Sequence, residues 1–350
     1  MEHVMPLSKQ QMTDIIEGRG AAERIPMLYH LWVSPETFGA QSARARELLE
    51  YAPMDVHQIY IPMPEVFDPP ADDPTYCWIK KKNIFADQAV GIDARVAIED
   101  WDELPRVLEE FPSPEYRGLF PASAPDNGKY RLLHWWYWLF ERMWSLRGME
   151  NALTDFYTNP DEVHMLFDKL TDFYCRILER AKQEMAVDGV FVSDDIGTQR
   201  GGFFSPEVFR IFFKPYYQRL IDKAHSLGMH VWLHSCGDIH LYLPDLIEIG
   251  LDVIHPIQKH TMDEAEIVRE YGDKICILAG FEVQQIIPFG TPDEARDEVR
   301  RLVDTYDRAD GRFMLTFGNG ITPDCPIESL QAVLEESISY GYQKRQQRSR

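Results

Sequence analysis

The stretch HVWLHSCGD, residues 230–238, carries the clearest fold signal of this chain. It begins as a short, almost uninterrupted hydrophobic run and ends abruptly in polar side chains. Hydrophobicity without alternation is typical of a parallel strand that is buried on both faces, because a strand with one solvated face alternates. Four similar runs occur in the same half of the chain, which predicts a series of parallel strands at Gly189–Val192, His230–His234, Val253–Pro256, Ile275–Ala279 and Phe313–Phe317.

The segments between these runs carry signals for helix starts. Three of them offer a capping side chain, then proline at the first helical position, then acidic residues in the first turn: Asn159–Glu162, Ser205–Glu207 and Thr291–Glu294. A regular succession of strand, helix and strand indicates βαβ units and hence a parallel sheet.

The N-terminal part, about residues 1–128, is less regular. It contains candidate strands at Ile25–Trp32 and Val56–Pro62, followed by Tyr130–Trp138, and a small hairpin is predicted near Ile79–Val96. The eight strands counted in this way are the number that a TIM (β/α)8 barrel needs. We therefore predict an α/β fold of this type, with one domain over residues 1–350. A doubly wound open sheet is the alternative, because periodicity does not distinguish closed from open sheets.

Composition narrows the classes of partner. The 350 residues include 57 acidic and 36 basic side chains, a formal net charge of −21. This field repels phosphate backbones and anionic membranes, so we expect neither nucleic-acid nor membrane binding. No apolar run is long enough to span a bilayer, and the opening MEHVMPLSKQQMTD is polar, unlike a signal peptide. Five scattered cysteines fit a reducing compartment, so we expect a cytoplasmic protein.

Polar side chains follow most of the predicted strands directly, and this is where TIM barrels place their active sites. Asp194 and Asp195 are adjacent, so they point to opposite sides of the backbone. We favour Asp195 as the functional residue and expect the other to bond the following turn, Gly197–Gly202, although the sequence leaves open which one faces the cavity. The other candidates at strand ends are His30, Trp32, His234, Ser235, Cys236, His255, Gln258, Glu282, Gln284 and Asn319.

His234 and Cys236 form the sharpest local feature. Two residues apart at a strand end, they point the same way, so an imidazole nitrogen and a thiolate can share a metal ion. Cys325, in the loop after the last strand, is the candidate for a third ligand. The alternative is that His234 hydrogen-bonds substrate while Cys236 packs as a small buried residue. Cys325 also precedes a proline at a helix start, where its thiol is either a weak cap or a thiolate stabilised by the helix N-terminus.

The aromatic run HWWYWLF, residues 134–140, allows two interpretations. We favour barrel core or a dimer contact, and the alternative is a platform for a flat substrate.

Several motifs resemble those of the uroporphyrinogen decarboxylase superfamily. They are residues 188–195 with FSPE at 204–207, HSCGD at 234–238, DVIHPIQ at 252–258 and GNGITPDCP at 318–326. The resemblance is detailed in the C-terminal half and faint before it. It implies a (β/α)8 barrel, often a homodimer, and two chemistries. One is cofactor-free decarboxylation of uroporphyrinogen; the other is methyl transfer with a corrinoid protein, in which a zinc ion held by His-x-Cys and a later cysteine activates a thiol.

The resemblance is closer to the methyltransferase branch. The arginine-containing stretch of the decarboxylases that binds propionates corresponds to Tyr29–Glu36, which has no arginine. His234 and Cys236 match the zinc-binding pair of the methyltransferases. The third cysteine of that branch falls where this chain has Asn319, and Cys325 follows six residues later.

These observations predict a zinc-dependent methyltransferase or demethylase that acts on a small methylated compound together with a corrinoid protein. Asp195 and His234 are the expected catalytic residues. The expected zinc ligands are His234, Cys236 and Cys325, and the expected substrate contacts are His30, Trp32, Gln258, Glu282 and Asn319.

Two other hypotheses remain at this point. One is a metal-free decarboxylase or lyase with Asp195 as the acid and His30 or His234 as a hydrogen-bond donor to the substrate. The other is a non-enzymatic protein that holds a corrinoid or another ligand in the barrel mouth.

Overall fold

The computed structural model describes residues 4–29, 32–65, 68–78 and 96–348. The predicted hairpin near Ile79–Val96 lies outside these ranges except for its last residue, and so does the predicted substrate contact His30. Within the described ranges, none of the helices combines the length and the apolar character needed to cross a membrane.

The described residues form a parallel sheet of seven strands, which follow one another in chain order. A separate antiparallel hairpin, β4 with β5, lies between the third and fourth of these strands in the sequence. Every neighbouring pair within the seven-stranded sheet is parallel, which confirms the predicted α/β class. The strands are β1 (Val56–Tyr60), β2 (Tyr130–Trp135), β3 (Gly189–Ser193), β4 (Gly197–Thr198), β5 (Gly201–Gly202), β6 (His230–His234), β7 (Val253–His255), β8 (Cys276–Gly280) and β9 (Phe313–Thr316).

The segment Pro26–Leu28 lies between the two edges of this sheet. The backbone N–H of Leu28 donates to Leu315 in β9, and the N–H of Asp55, directly before β1, donates to Met27. The sheet therefore curls as in a TIM barrel. Among the described residues of the predicted strand Ile25–Trp32, Met27 alone makes a ladder bridge, so the strand is confirmed only there. Pro26 has no N–H, and the N–H of Met27 donates to the Asp55 carboxylate at 2.8 Å.

Thirteen α-helices are found in the described residues, and most lie between successive strands. Two of the three predicted caps are confirmed, since the Ser205 and Thr291 side chains accept from backbone N–H groups. Asn159 makes no such bond. The helices are α1 (Lys9–Ile16), α2 (Ser42–Tyr51), α3 (Leu104–Glu109), α4 (Phe140–Arg147), α5 (Met149–Thr158), α6 (Pro160–Met185), α7 (Pro206–Val208), α8 (Lys214–Ser226), α9 (Leu243–Glu248), α10 (Glu264–Tyr271), α11 (Ile286–Phe289), α12 (Pro292–Tyr306) and α13 (Ile327–Arg348).

Two apolar clusters separate the inner and outer faces of the sheet. The larger cluster packs the outer face against the helices. The smaller one fills the interior with Leu132, Phe191, Trp232 and Val253, together with α1. Because alternate side chains of a strand share a face, the residues two positions further along lie above this interior cluster. That rule places side chains from β2, β3, β6 and β7 in one polar layer at the C-terminal end of the sheet.

Candidate metal centre and adjoining cleft

Three buried histidines, His134, His234 and His255, occupy this polar layer. They stand two residues beyond Leu132, Trp232 and Val253, and His234 pairs in register with His255. Burial lowers the pKa of all three, that of His134 to about 3 and that of His255 well below its usual value. For His234 the nearby Asp195 carboxylate opposes this effect. All three imidazoles are therefore neutral at pH 7, the form that binds metals.

The two neighbouring histidines share one hydrogen bond. Nδ1 of His234 lies 2.7 Å from Nδ1 of His255, so one nitrogen donates and the other accepts. When His234 donates, its Nε2 carries a lone pair, and this Nε2 lies 3.4 Å from the sulfur of Cys236. The ring of Trp32 stacks on His255 with centroids 5.0 Å apart. His255 was a candidate at a strand end without a predicted role. Its place at the end of β7, in register with His234 of β6, was the signal that could have predicted this contact.

Asp195, His234 and Cys236 form a compact group of potential metal ligands whose donor atoms all lie within 4.8 Å of one another. The Nε2 atom of His234 is 3.6 Å from Oδ1 of Asp195. Tetrahedral zinc with bonds of about 2.3 Å to sulfur and 2.0–2.2 Å to nitrogen and oxygen separates its ligand atoms by roughly 3.4–3.6 Å. The two distances from Nε2 therefore fit a zinc ion without rearrangement.

Close backbone packing holds this group together. The N–H of Cys236 donates to Oδ1 of Asp195 at 2.7 Å, and the N–H of Asp238 donates to the carbonyl of Thr198 in β4. Gly237 has a φ of 82°, and a side chain there would meet the backbone of Gly197 at 2.3 Å. Only glycine at position 237 allows this approach. The backbone conformation and this close packing explain why the motif HSCGD has glycine at position 237.

The two adjacent aspartates have separate roles. Asp194 is fully buried and accepts from the backbone N–H groups of residues 139–141, which begin α4, and from the Tyr217 hydroxyl. Burial raises the pKa of Asp194 to about 6. The sequence predicted that Asp194 bonds the turn Gly197–Gly202. In the structure it bonds the start of α4 instead. Asp195 is the residue directed to the sheet mouth, with 37% of its side chain exposed.

Cys325 does not join the metal group. It is buried in the outer apolar cluster, where its sulfur contacts the Thr322 hydroxyl at 3.7 Å. Burial raises the pKa of its thiol, so no thiolate is favoured there. The third potential ligand beside His234 and Cys236 is Asp195, and not Cys325 as the sequence predicted. The loop after β9 turns so that Asn319, and not Cys325, reaches the site.

Asn319 contacts the cysteine of the metal group directly. Its side-chain amide donates to the sulfur of Cys236 at 2.9 Å. Burial, followed by the nearby Asp195 charge, raises the pKa of the Cys236 thiol to about 12, and the bond from Asn319 acts in the opposite direction. A bound cation would therefore be needed to hold this sulfur as a thiolate at neutral pH.

The predicted substrate contacts Gln258, Glu282 and Asn319 line one small cavity of about 30 Å³. Oε1 of Gln258 accepts from the N–H of Gly237 at 2.7 Å, so this side chain supports the loop after β6. Glu282 is buried, and its carboxylate accepts from the backbone N–H groups of residues 284–286, at the start of α11. Both of its oxygens accept from the helix start, and its role as a substrate contact stays a prediction.

A larger cleft of about 640 Å³ opens directly beside His234. Sequence analysis did not assign two of its charged residues, Glu141 and Arg142. Glu141 is buried and accepts from the Ser193 hydroxyl, and burial raises its pKa well above the usual value. In the aromatic run, Trp135, Trp138 and Phe140 are core, which confirms the favoured interpretation for these three residues. Trp136 and Tyr137 border the cleft, where the platform for a flat substrate stays a prediction. The lining residues are Tyr60, Pro62, Met63, Pro64, Glu65, Trp136, Tyr137, Glu141, Arg142, Ser193 and His234.

Comparisons with known proteins give relatives of two activities. The chain is 25% identical over 189 residues to a methylated-thiol–coenzyme M methyltransferase of Methanosarcina mazei, covering 53% of this chain and 47% of that protein. It is 27% identical over 204 residues to the uroporphyrinogen decarboxylase of Shewanella halifaxensis, covering 56% and 54%. The chain thus spans about half the length of these curated relatives.

A solved structure shares the fold. A methyltransferase from Methanosarcina mazei superposes with a TM-score of 0.59 at 15% identity, covering 94% of this chain and 97% of that one. The family model described as uroporphyrinogen decarboxylase (URO-D) matches residues 139–340, which contain α4, every strand from β3 to β9 and the whole metal group. The chain therefore belongs to the uroporphyrinogen decarboxylase family.

Proposed function

We propose that this protein is a zinc-dependent methyltransferase that acts on a small methylated compound, with a corrinoid protein as its partner. The observation that carries the proposal is the group Asp195, His234 and Cys236, whose spacing fits three ligands of a tetrahedral zinc with one position open. Support also comes from the methyltransferase relative, whose name specifies a methylated thiol. For the fold, we propose a closed (β/α)8 barrel in which Pro26–Leu28 takes the eighth position.

Zinc in this site would supply one kind of chemistry, the stabilisation of a thiolate at neutral pH. The protein's own residues orient the ligands. In the tautomer that suits metal binding, Nδ1 of His234 donates to His255, which leaves the Nε2 lone pair of His234 free for the metal. The Cys236 N–H fixes the Asp195 carboxylate, while Gln258 fixes the loop through Gly237.

The reaction that this geometry suits is a transfer of methyl between sulfur and a donor. The thiolate sulfur forms a bond to the methyl carbon, and the electron pair of the breaking bond stays on the donor. The cleft beside His234 is wide enough for a small substrate and is bordered by Trp136 and Tyr137, which shield the reacting atoms from water. From the family resemblance we also propose one domain over residues 1–350, a homodimer and a cytoplasmic location.

The decisive experiment combines metal analysis with a transfer assay. Purified protein should contain about one zinc per chain and should transfer methyl from methylcobalamin to a small thiol. His234→Ala and Cys236→Ser should lose both properties, whereas Cys325→Ser should keep both. Absence of stoichiometric zinc, or transfer that is unchanged in His234→Ala, would refute the proposal.

A metal-free decarboxylase is the second candidate. It is favoured by the partly exposed Asp195 carboxylate beside His234 and by the decarboxylase relatives. In that case Asp195 donates a proton to the carbon that loses carbon dioxide, and activity survives chelators but disappears in Asp195→Asn. Treatment with a chelator therefore separates the two candidates.

A further inference from the structure

Arg142 is a buried arginine that lines the cleft and has no carboxylate partner among the described residues. It is only 3% exposed, and its Nε has no hydrogen-bond partner among the described residues. Its Nη1 makes a long contact, 3.4 Å, to the Ser145 hydroxyl, and the guanidinium also bonds the Tyr174 hydroxyl. Burial of a charge without an opposite charge is costly.

Three other buried arginines of this protein are paired with carboxylates. Arg24 bonds Asp55 at 2.5 Å, Arg147 bonds Asp155 at 2.8 Å and Arg345 bonds Asp307 at 3.0 Å. Arg142 differs from these three, as does Arg131, whose guanidinium donates to the Ala124 carbonyl and pairs with no carboxylate among the described residues. The difference is that Arg142 borders a cleft, so an anion can reach it from solvent.

The neighbours of Arg142 hold it in place without neutralising it. Its guanidinium lies 4.6 Å from the ring centroid of Trp78 and 5.2 Å from that of Tyr137, distances typical of cation–π contacts. The adjacent carboxyl group, Glu141, is held in its neutral form because burial raises its pKa well above the usual value. Among the described residues, no ionised carboxylate therefore lies within ion-pair distance of Arg142, although Glu65 lines the same cleft.

We infer that the cleft binds a small methylated carboxylic acid, whose carboxylate pairs with Arg142 and whose apolar body lies against Trp136 and Met63 beside His234. The planar guanidinium fork matches a carboxylate with two parallel hydrogen bonds. One arginine suits a single carboxylate better than a polyanionic tetrapyrrole. The inference rests on the proposed function and names its substrate class.

The test is a binding comparison that needs no turnover. Calorimetric titration of the full chain with 4-methoxybenzoate and with the neutral 4-methoxybenzamide should show binding of the acid tighter by about tenfold or more. Arg142→Gln should lose this preference by weakening only the acid, while amide binding stays unchanged and shows that the cleft is intact. Arg142→Lys should retain part of it. Arg176→Gln, which changes an exposed arginine on α6, is the matched control and should bind both probes as the wild type does.

Zinc could itself attract a carboxylate, so the titration is repeated after chelator treatment. The preference for the acid should persist. Equal affinity for acid and amide in the wild type, a preference that vanishes on chelation, or an unchanged preference in Arg142→Gln would each overturn the inference. If Arg142→Gln fails to fold, the wild-type comparison and Arg142→Lys still decide. A preference that persists in a protein without methyl transfer would refute the proposed function and leave the carboxylate site standing.

Discussion

The side-chain amide of Asn319 donates a hydrogen bond to the sulfur of Cys236 across 2.9 Å, although the two residues are 83 positions apart in the chain. This contact joins the loop after β9 to the loop after β6 at the edge of the proposed zinc site. It also places an amide at the position where the family resemblance led us to expect a third cysteine ligand.

Replacing Asn319 by cysteine should strengthen zinc binding. A thiolate at this position adds a ligand next to Cys236, so the affinity of Asn319→Cys for zinc should rise by about tenfold or more. Competition with a chromogenic chelator measures this affinity. Asn319→Ala is the matched control for loss of the amide and should show no increase. Equal affinities in the cysteine and alanine variants would contradict the prediction.

The pair Asp194→Asn and Asp195→Asn should separate stability from metal binding. An asparagine at position 194 turns an N–H group towards one of the backbone N–H groups of residues 139–141, so the free energy of unfolding should fall by about 1–3 kcal/mol. Asp195 is partly exposed, and asparagine there can still accept from the Cys236 N–H. We expect urea denaturation of Asp195→Asn to match the wild type while its zinc affinity falls. Reversed effects in the two variants would show that the roles of the aspartates are exchanged.

His255 should act through the orientation of His234. His255→Leu removes the acceptor for Nδ1 of His234, and zinc affinity should fall by about 10–100-fold, as for other residues that orient metal ligands. His255→Gln retains an acceptor and should restore part of the affinity, which a purely packing role would not explain. His225→Gln, at a histidine that bonds Asp252 away from this site, should leave zinc affinity unchanged.

His134 should make the protein less stable in acid. Burial holds its pKa in the folded state at about 3, below the value of about 6.5 in an unfolded chain. Its contribution to stability is therefore complete above about pH 6.5 and is lost as the pH falls towards 3, by about 1.4 kcal/mol per pH unit. His134→Gln should reduce the slope of unfolding free energy against pH by that amount between pH 6 and 4. Parallel curves for the two proteins in urea denaturation would show that His134 does not remain neutral.

Local sequence patterns predicted most of the sheet. Seven of the eight candidate strands are strands in the structure, because short hydrophobic runs without alternation arise only where both faces are buried. The exception, Ile25–Trp32, has the apolar composition of a strand, but Pro26 and the Asp55 carboxylate remove the backbone donors that a ladder needs. Proline is a local signal, whereas the contact of Met27 with Asp55, 28 residues further along the chain, has none.

The sequence by itself determined the parallel α/β fold, the family and the approach of His234 to Cys236, since a spacing of two along a strand places both side chains on one face. Only the tertiary structure decided that Asp195 completes the group while Cys325 packs in the core. It also decided that Arg142 borders a cleft and pairs with no carboxylate in the part of the chain that the structure describes. The physical reason is the distance along the chain over which each interaction acts. Strand periodicity is a local property of the backbone, whereas the paths of the loops after β3, β6 and β9 depend on packing and hydrogen bonds between residues that are distant in the chain.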